Sequence, residues 1–163
     1  FAQLCVEWQR LVMEIRSADT RAACLRFGIV LGEGGGALPT MALPAKTGLS
    51  GPLGTGKQWW SWVALEDAVA ALMHVLHNDA LEGPVNVVAP EPIRQADFQQ
   101  IMCKAMSRPA FLPAPAFGVR LILGKFADEV LSSKRVMPKK LVESDFTWSH
   151  GELKPLMQRL FSS

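Results

Sequence analysis

A run of ten residues, 22–31, contains one charged side chain, Arg26, and is otherwise small or apolar. A strand with one solvated face alternates apolar and polar residues, whereas an uninterrupted apolar run is typical of a strand covered on both faces by helices. The preceding residues, 1–18, carry apolar side chains at spacings of three and four, which predicts an amphipathic helix. The sequence therefore predicts a helix followed by a central, doubly covered strand, the arrangement of an α/β protein.

The rest of the chain continues this alternation of strands and helices. Residues 58–63 are aromatic and β-branched and residues 85–89 are apolar, so we predict two more strands there, with a further short strand as a candidate at residues 146–148. Prolines at positions 39 and 44 are expected to interrupt the first of the later helices. Spacing and end signals predict these helices over residues 37–46, 66–77, 94–106, 136–141 and 152–161.

Composition and charge exclude several classes of protein. With 163 residues the chain has the size of one domain, and its formal net charge of +2 is too small to indicate nucleic-acid binding. No apolar run approaches the roughly 18 residues needed to cross a bilayer, and no secretory signal is visible. The three cysteines are scattered and odd in number, which favours a reducing cytoplasm over a disulfide framework or a zinc site. Because the chain opens on Phe1 instead of Met, we expect a fragment or a processed product.

Residues 51–57 have the outline G-x-x-x-x-G-K of a phosphate-binding loop. Such a loop requires Ser or Thr after its Lys to reach Mg²⁺, and a helix behind it to hold the phosphates. Here Gln58 follows Lys57, and the aromatic stretch that comes next predicts a strand. We therefore interpret residues 51–57 as a Gly- and Pro-rich loop that enters a strand, not as a nucleotide triphosphatase site.

Seven short segments, in order along almost the whole chain, carry a resemblance to a known family. The chain is similar to the C-terminal half of an atypical extended short-chain dehydrogenase/reductase. More narrowly, it resembles the NAD-dependent epimerase/dehydratase-like family whose members are often labelled cell-division inhibitor or sugar-nucleotide epimerase-like. The segments are LRFGIVLG at 25–32, GGGAL at 34–38, GPLGTG at 51–56, WWSWVALED at 59–67, GPVN at 83–86, RPAFLP at 108–113 and RVMP at 135–138.

The resemblance implies a fold, a cofactor and a function. Residues 1–107 would form the C-terminal half of a Rossmann-like, doubly wound NAD(P)-binding domain, and residues 108–163 the family's small α-rich C-terminal domain. The chain would then be the substrate-side portion of an NAD(P)-linked epimerase or oxidoreductase acting on a small molecule such as a nucleotide-sugar. NAD or NADP belongs to the intact parent, and we expect no tight binding by this chain. The alternative is a non-catalytic binding or protein-interaction module that keeps part of the fold.

Two features of the wider superfamily are missing from the sequence. The Gly-rich turn that holds the NAD(P) pyrophosphate after the first strand is absent, and the glycines at 32–36 follow a different strand. In the superfamily a Tyr, with a Lys four residues later, performs acid–base chemistry from the helix before the 25–32 strand. The matching positions here are Phe1 and Cys5, and the chain has no Tyr at all. We therefore assign no catalytic residue and expect the isolated chain to be inactive, although the family it resembles is NAD(P)-dependent.

Three residues are candidates for the cofactor side of the cleft. The resemblance places three residues in the segment that runs beside the nicotinamide and the substrate in extended relatives. These residues are Phe27, Gly28 and Ile29. The alternative interpretation is a plain core strand. Arg26 lies within the same apolar run and must either form a structural ion pair or line the cleft.

The substrate candidates are Arg26 together with five further residues. Gly35 and Gly36 suggest a mobile substrate loop, or an ordinary connector. Lys57 and Gln58 are candidates for contacts with phosphate or sugar hydroxyls, or are simply solvated. Trp60 is a candidate for an aromatic ligand wall; alternation along a strand would turn it away from Trp59 and Trp62, with at least one side in the core.

Other polar clusters favour structural roles. Glu66 and Asp67 are adjacent, so they cannot flank one substrate bond, and their position predicts helix N-terminal charge. The three histidines show no ligand partners at metal spacing, so no metal is predicted. A basic cluster within residues 134–140 is a solvated face or an anion site. We expect self-association or a missing N-terminal half as partner, because the helix at 1–18 matches one that builds dimer bundles in extended relatives.

Overall fold

The computed structural model describes residues 2–17, 19–48 and 50–162. Within these residues the chain forms eight α-helices and six short strands, and a single 3-10 turn, Gly124–Phe126, joins the fifth and sixth helices. The strands are β1 (Ala23–Phe27), β2 (Ile29–Leu31), β3 (Trp59–Trp60), β4 (Trp62–Ala64), β5 (Gly83–Val87) and β6 (Ile93–Arg94). The helices are α1 (Ala2–Glu14), α2 (Ala37–Lys46), α3 (Leu65–His77), α4 (Gln95–Ala105), α5 (Ala116–Leu123), α6 (Ala127–Leu131), α7 (Lys139–Glu143) and α8 (Leu153–Phe161).

β1 and β2 are one stretch of chain that changes its partner at Gly28. β1 pairs in parallel with β5, and β2 pairs in parallel with β4. At the change, the Gly28 N–H donates to the Val87 carbonyl (3.1 Å) and the Ile29 N–H donates to the Ser61 carbonyl (2.9 Å). Parallel pairs joined through helices define the mixed α/β, Rossmann-like architecture that the sequence predicted.

The prediction of one strand buried on both faces over residues 22–31 is wrong in detail. The strand is divided, and two of its side chains, Arg26 and Phe27, are exposed. Among the described residues β1 has a sheet partner on one side, β5, and the residues of α1 are themselves mostly exposed. The apolar run therefore ends in a surface that this part of the chain does not cover.

The tryptophan-rich segment is also divided, between β3 and β4. β3 pairs antiparallel with β6, whereas β4 pairs with β2, and Ser61 lies between the two. Because the strand breaks at Ser61, simple alternation fails: Trp60 and Trp62 are both buried in the same hydrophobic cluster. The prediction that Trp60 faces away from Trp62 is wrong, and Trp59 alone lies outside that cluster.

The predicted helices fall close to the observed ones, with corrections to α2, to α7 and to one predicted strand. α2 runs through both prolines. Pro39 lies in the first turn, where its missing N–H costs nothing, whereas Pro44 lies inside the helix and gives up the hydrogen bond to the carbonyl four residues earlier. The segment 146–148 is irregular and not a strand. α7 begins at Lys139, later than expected, with Pro138 as its N-cap residue.

Two hydrophobic clusters hold these elements together. The first joins α2, α4 and α8 around Phe98 and Met102, both fully buried, with Trp60 packed edge-on against Phe98 at 5.3 Å between ring centroids. The second joins α3 to β1 and β5, and it includes Leu141 from α7. Residues beyond 108 therefore contribute to both clusters, so the C-terminal part is packed into the same core as the strands.

Candidate functional site

The change of partner at Gly28 marks the candidate cleft of this fold, at the carboxyl end of β1. Ligands of open α/β sheets bind outside the carboxyl ends of the strands. Here β1 ends at Phe27 beside β5, and the chain then continues along β4. A Cβ added at Gly28 would lie 2.6 Å from the Ser61 carbonyl oxygen and 2.9 Å from Val88 Cγ1. Glycine is therefore required for the chain at this point to lie so close to the Ser61 backbone and the Val88 side chain.

The cofactor-side candidates differ in how accessible they are. Phe27 is 47% exposed, whereas Gly28 and Ile29 are half-buried, with Ile29 packed against the first cluster. The Phe27 ring is thus the one side chain of the three that offers a free apolar surface at the end of β1. Arg26 is exposed and donates to the side-chain oxygen of Gln9 on α1. This bond is not the ion pair considered from sequence, since its partner is neutral, and Arg26 stays a candidate for lining the cleft.

The glycine loop lies at the carboxyl end of β2. Gly35 and Gly36 are exposed, and Gly36 adopts a φ of 75° directly before α2. A Cβ added at Gly35 would meet no atom within 4 Å. The loop therefore lies open to solvent beside the strand that carries Ile29, which keeps both glycines available as substrate-loop candidates.

The remaining candidates lie on or beside β3, and two of them have structural contacts. Gln58 is buried and donates to the Leu53 carbonyl (3.1 Å). Trp60 is buried, and its indole N–H donates to the Val130 carbonyl (3.1 Å). These contacts favour a structural role for Gln58 and a core position for Trp60. Lys57 is exposed, and its backbone carbonyl accepts a hydrogen bond from Arg94.

Sequence reasoning missed the role of Asp67. Its carboxylate is 1% exposed and accepts the backbone N–H groups of Ser149 (2.8 Å) and His150 (2.9 Å). Asp67 therefore links the first turn of α3 to the segment before α8. The sequence had predicted only a favourable negative charge at the start of the helix. The available signal was a carboxylate in the first turn of a helix that follows a buried strand, but the partner lies more than 80 residues away and could not be named from sequence.

Glu66 differs from its neighbour because it remains near the surface. It pairs with Arg159 of α8 at 2.7 Å, and both side chains are more than 40% exposed. Burial by itself would raise the pKa of Glu66, but a hydrogen bond from its own backbone N–H and the nearby Arg159 outweigh burial and hold that pKa below its usual value. The two adjacent acids thus both connect α3 to the C-terminal region.

Metal chemistry finds no support in the part of the chain that the structure describes. Within it, no group of three or more His, Cys, Asp or Glu side chains is arranged to hold a metal ion. His74 instead bonds Ser144 Oγ (2.8 Å) and packs against Phe146, and His77 bonds the Met73 carbonyl (2.8 Å). Over the same residues, the helices are too short or too polar to cross a membrane.

Comparison with protein families and known proteins agrees with this geometry. Residues 2–89 match the model of the NAD dependent epimerase/dehydratase family, and residues 114–160 match a domain of unknown function, DUF1731. The chain belongs to the NAD-dependent epimerase/dehydratase family. The family resemblance drawn from the sequence motifs is therefore confirmed.

Individual relatives match the chain along nearly all of its length. An epimerase family protein of Staphylococcus aureus (strain bovine RF122 / ET3-1) is 35% identical over 161 residues, which is 99% of this chain and 54% of the relative. The human epimerase family protein SDR39U1 (isoform 2), solved with NADPH, superposes with a TM-score of 0.93 at 32% identity, over 100% of this chain and 55% of that one. The nucleoside-diphosphate sugar epimerase of Corynebacterium glutamicum superposes with a TM-score of 0.75 at 25% identity, over 98% of this chain and 30% of that one. The chain thus spans about half the length of the curated relatives it matches.

Proposed function

We propose that this chain forms the substrate side of an NAD(P)-linked epimerase or oxidoreductase cleft and acts together with a cofactor-binding half. The observation that carries this proposal is the partner change at Gly28, with the exposed Phe27 at the end of β1. Ligands of open α/β sheets bind outside the carboxyl ends of the strands, and Phe27 lies at the carboxyl end of β1. The match to a human protein solved with NADPH supports the same assignment.

The described residues fit one end of a dinucleotide better than the other. Phe27 offers an exposed ring at the sheet edge, suited to contact with a flat nicotinamide, and Gly28 brings the strands together beneath it. A bound nicotinamide supplies hydride transfer, and the protein contributes orientation. A pyrophosphate needs a Gly-rich turn between a strand and a helix, and the glycines of this sequence at 32–36 follow β2, on the substrate side. We therefore propose that the other half holds the pyrophosphate, and that these 163 residues alone do not bind NAD or NADP tightly.

Four of the six substrate candidates remain part of this proposal. Gly35 and Gly36 would shape a loop over the substrate, and Arg26 and Lys57 would provide exposed positive charge. A nucleotide-sugar substrate is supported by the similarity to a nucleoside-diphosphate sugar epimerase. Residues 1–107 and 108–163 remain the proposed division between the Rossmann-like part and the C-terminal domain.

A second function, a non-catalytic binding or interaction module, is favoured by one specific observation. The chain has no Tyr, and Cys5, which matches the position of the superfamily Lys, is exposed on α1; Phe1, which matches the Tyr, lies outside the described residues. α1 also exposes apolar side chains, including Trp8 at 60% and Leu11 at 48%. We propose that this face and the free side of β1 are covered by the cofactor-binding half or by a second copy of the chain. The three free thiols, Cys5, Cys24 and Cys103, support a cytoplasmic location.

The test measures NADPH binding with and without a complementary half. Calorimetric titration of the isolated chain is expected to show no low-micromolar affinity for NADPH. Co-expression with the part of the staphylococcal relative that this chain does not match is expected to give a complex that binds NADPH. In that complex Phe27→Ala should weaken binding by about tenfold, the equivalent of one good apolar contact.

A matched control variant distinguishes the loss of a ring at the candidate cleft from the loss of any exposed ring. Phe117 is 76% exposed on α5, so Phe117→Ala removes a ring of the same size from outside the candidate site and should leave NADPH affinity unchanged. Tight NADPH binding by the isolated chain would contradict the proposal that the other half is needed to hold the cofactor. A complex that forms but never binds NADPH would favour the interaction module. Light scattering at micromolar concentration checks self-association, and a clean monomer would exclude the second copy as partner.

A further inference from the structure

An open groove of about 550 Å³ lies at the C-terminal end of α4, and none of the residues that line it is a candidate of the cleft described above. A volume of this size is within the range of sites that hold small organic molecules. The lining residues come from α4 and from the chain directly after it, and they are Gln100, Lys104, Ser107, Arg108, Ala110 and Phe111. We call this feature the α4 groove.

One wall of the α4 groove is the outer face of the helix. Phe98, Met102 and Cys103 are fully buried in the first cluster, so the opposite side of α4 faces outward. Gln100 and Lys104 are exposed and lie four residues apart, which makes their side chains neighbours on one helical face. The helix therefore presents one amide and one ammonium group to the groove.

The turn at the end of α4 fixes the backbone of Arg108. Ser107 has a φ of 55°, in the left-handed region where glycine is the usual residue after a helix. The Ser107 N–H donates to the Lys104 carbonyl (3.1 Å), and the Arg108 N–H donates to the Cys103 carbonyl (2.9 Å). These two bonds close the helix end, so the Arg108 backbone is held against the turn of α4 that carries Lys104.

The other wall is an extended segment that is bonded to the loop between α2 and β3. The Leu112 N–H donates to the Ser50 carbonyl (3.1 Å), and the Ala114 N–H donates to the Pro52 carbonyl (2.9 Å). Phe111 comes directly before this attachment, and its side chain is 74% exposed. An exposed ring on a fixed backbone offers an apolar surface to a ligand at little cost in conformational freedom.

The α4 groove carries two positive charges, and no Asp or Glu is among the described residues that line it. Lys104 and Arg108 also belong to none of the ion pairs found in the part of the chain that the structure describes. The position of Lys104 in the last turn of α4 is favourable for the helix dipole, but Arg108 lies beyond the helix. An anionic ligand in the groove would be attracted by both cations.

We propose that the α4 groove binds a small organic diacid with a flat apolar body. The Arg108 guanidinium matches one carboxylate through two parallel N–H donors, and the Lys104 ammonium pairs with the other carboxylate as a point charge. The Phe111 ring packs against the body of the ligand. A monoacid would leave one of the two cations without a partner, so the groove favours a dianion. The proposal uses no residue of the candidate cleft and does not rest on the function proposed there.

The test is calorimetric titration of the chain with isophthalate, a benzene ring that carries two carboxylates. We expect saturable binding at one site. Benzoate keeps the ring with one carboxylate and succinate keeps two carboxylates without a ring, so each should bind at least about fivefold more weakly. Lys104→Gln with Arg108→Gln should weaken isophthalate binding by about tenfold or more, and Phe111→Ala should weaken it by about threefold.

A matched control distinguishes the α4 groove from general surface charge. Lys46→Gln with Lys154→Gln removes the same net charge from exposed positions in α2 and α8 and should change isophthalate affinity by less than about twofold. Circular dichroism checks that each variant is folded. If the double groove variant unfolds, Arg108→Gln alone still tests the site, because Arg108 is exposed.

Four results would overturn the proposal. Isophthalate could fail to show saturable binding up to about 10 mM, or benzoate could bind as tightly as isophthalate. The groove variant and the control variant could lose equal affinity, which would indicate a response to net charge alone. Finally, an acidic peptide could bind more tightly than isophthalate, which would identify the groove as a protein-binding surface and not as a small-ligand site.

Discussion

The buried carboxylate of Asp67 provides the sharpest test of how this fold is held together. Both of its oxygens accept backbone N–H groups, from Ser149 and His150, at 2.8 and 2.9 Å. A hydrogen bond to a charged group contributes about 1.5–3 kcal/mol, so losing two would cost up to about 6 kcal/mol. Removing the carboxylate also removes its desolvation cost, which offsets a few kcal/mol. We therefore expect Asp67→Ala to lower the free energy of unfolding by about 3 kcal/mol.

Asp67→Asn should cost less than Asp67→Ala. The asparagine keeps one acceptor oxygen of similar shape, but its amide N–H₂ group then faces the second backbone N–H without a bond. We expect a loss of about 2 kcal/mol for this variant. The assay is urea unfolding followed by tryptophan fluorescence and circular dichroism, analysed as a two-state transition once both probes coincide.

The neighbouring acid supplies the control for Asp67. Glu66→Gln breaks an ion pair whose two side chains are 41% and 46% exposed, so screening by solvent should limit the loss to about 0.5 kcal/mol. If Asp67→Ala proves no more costly than Glu66→Gln, the two backbone bonds do not stabilise the fold and the reasoning fails. A change in the slope of the unfolding curve would instead indicate that the C-terminal segment had detached before global unfolding.

Three smaller changes test other parts of the structure. Gly28→Ala should lower the melting temperature by several degrees, since overpacking costs about 1–3 kcal/mol, whereas Gly35→Ala, with open space around it, should change little. Trp60→Phe should destabilise the chain by about 1–2 kcal/mol through its lost indole hydrogen bond, and an unchanged urea midpoint would contradict that bond. Because the pKa of Glu66 is lower in the folded chain than when unfolded, its stabilising effect is present at neutral pH and is lost on acidification. The small stability gap between Glu66→Gln and the unmodified chain should therefore close below about pH 4, as measured by unfolding at several pH values.

Local patterns were enough to predict most of the helices. α3, α4 and α8 begin within one residue of their predicted starts, because amphipathic spacing and end signals are properties of neighbouring residues. The family was also correct, since its motifs are short and in order. α2 shows the limit of this approach. Two prolines suggested a break, but only Pro39 lies in the first turn, and the helix continues through Pro44 although that residue removes one of its hydrogen bonds.

Features that depend on partners distant in sequence could not be predicted. The breaks at Gly28 and Ser61 exist because each strand changes its neighbour, and an apolar run does not record which strand lies beside it. Two residues of the candidate site show the same limit. Phe27 lies exposed at the end of a strand, whereas Gln58 is buried and bonded to the Leu53 carbonyl. The pairing of Trp59 with Arg94 required the β3–β6 register, which no local signal contains.

Hydrogen bonds between the strand region and the C-terminal region limit which C-terminal segments could be exchanged between related proteins. The Trp60 indole, the Ser61 hydroxyl and the Asp67 carboxylate each bond to backbone groups beyond residue 129. In the opposite direction, the Trp148 indole N–H donates to the Val88 carbonyl (3.1 Å). A chimaera that joined residues 1–107 of this chain to the tail of a distant relative would have to supply every one of these partners in the same place. The two parts are therefore constrained to diverge together, and a successful transplant would have to bring Ser61 and Asp67 along with the tail.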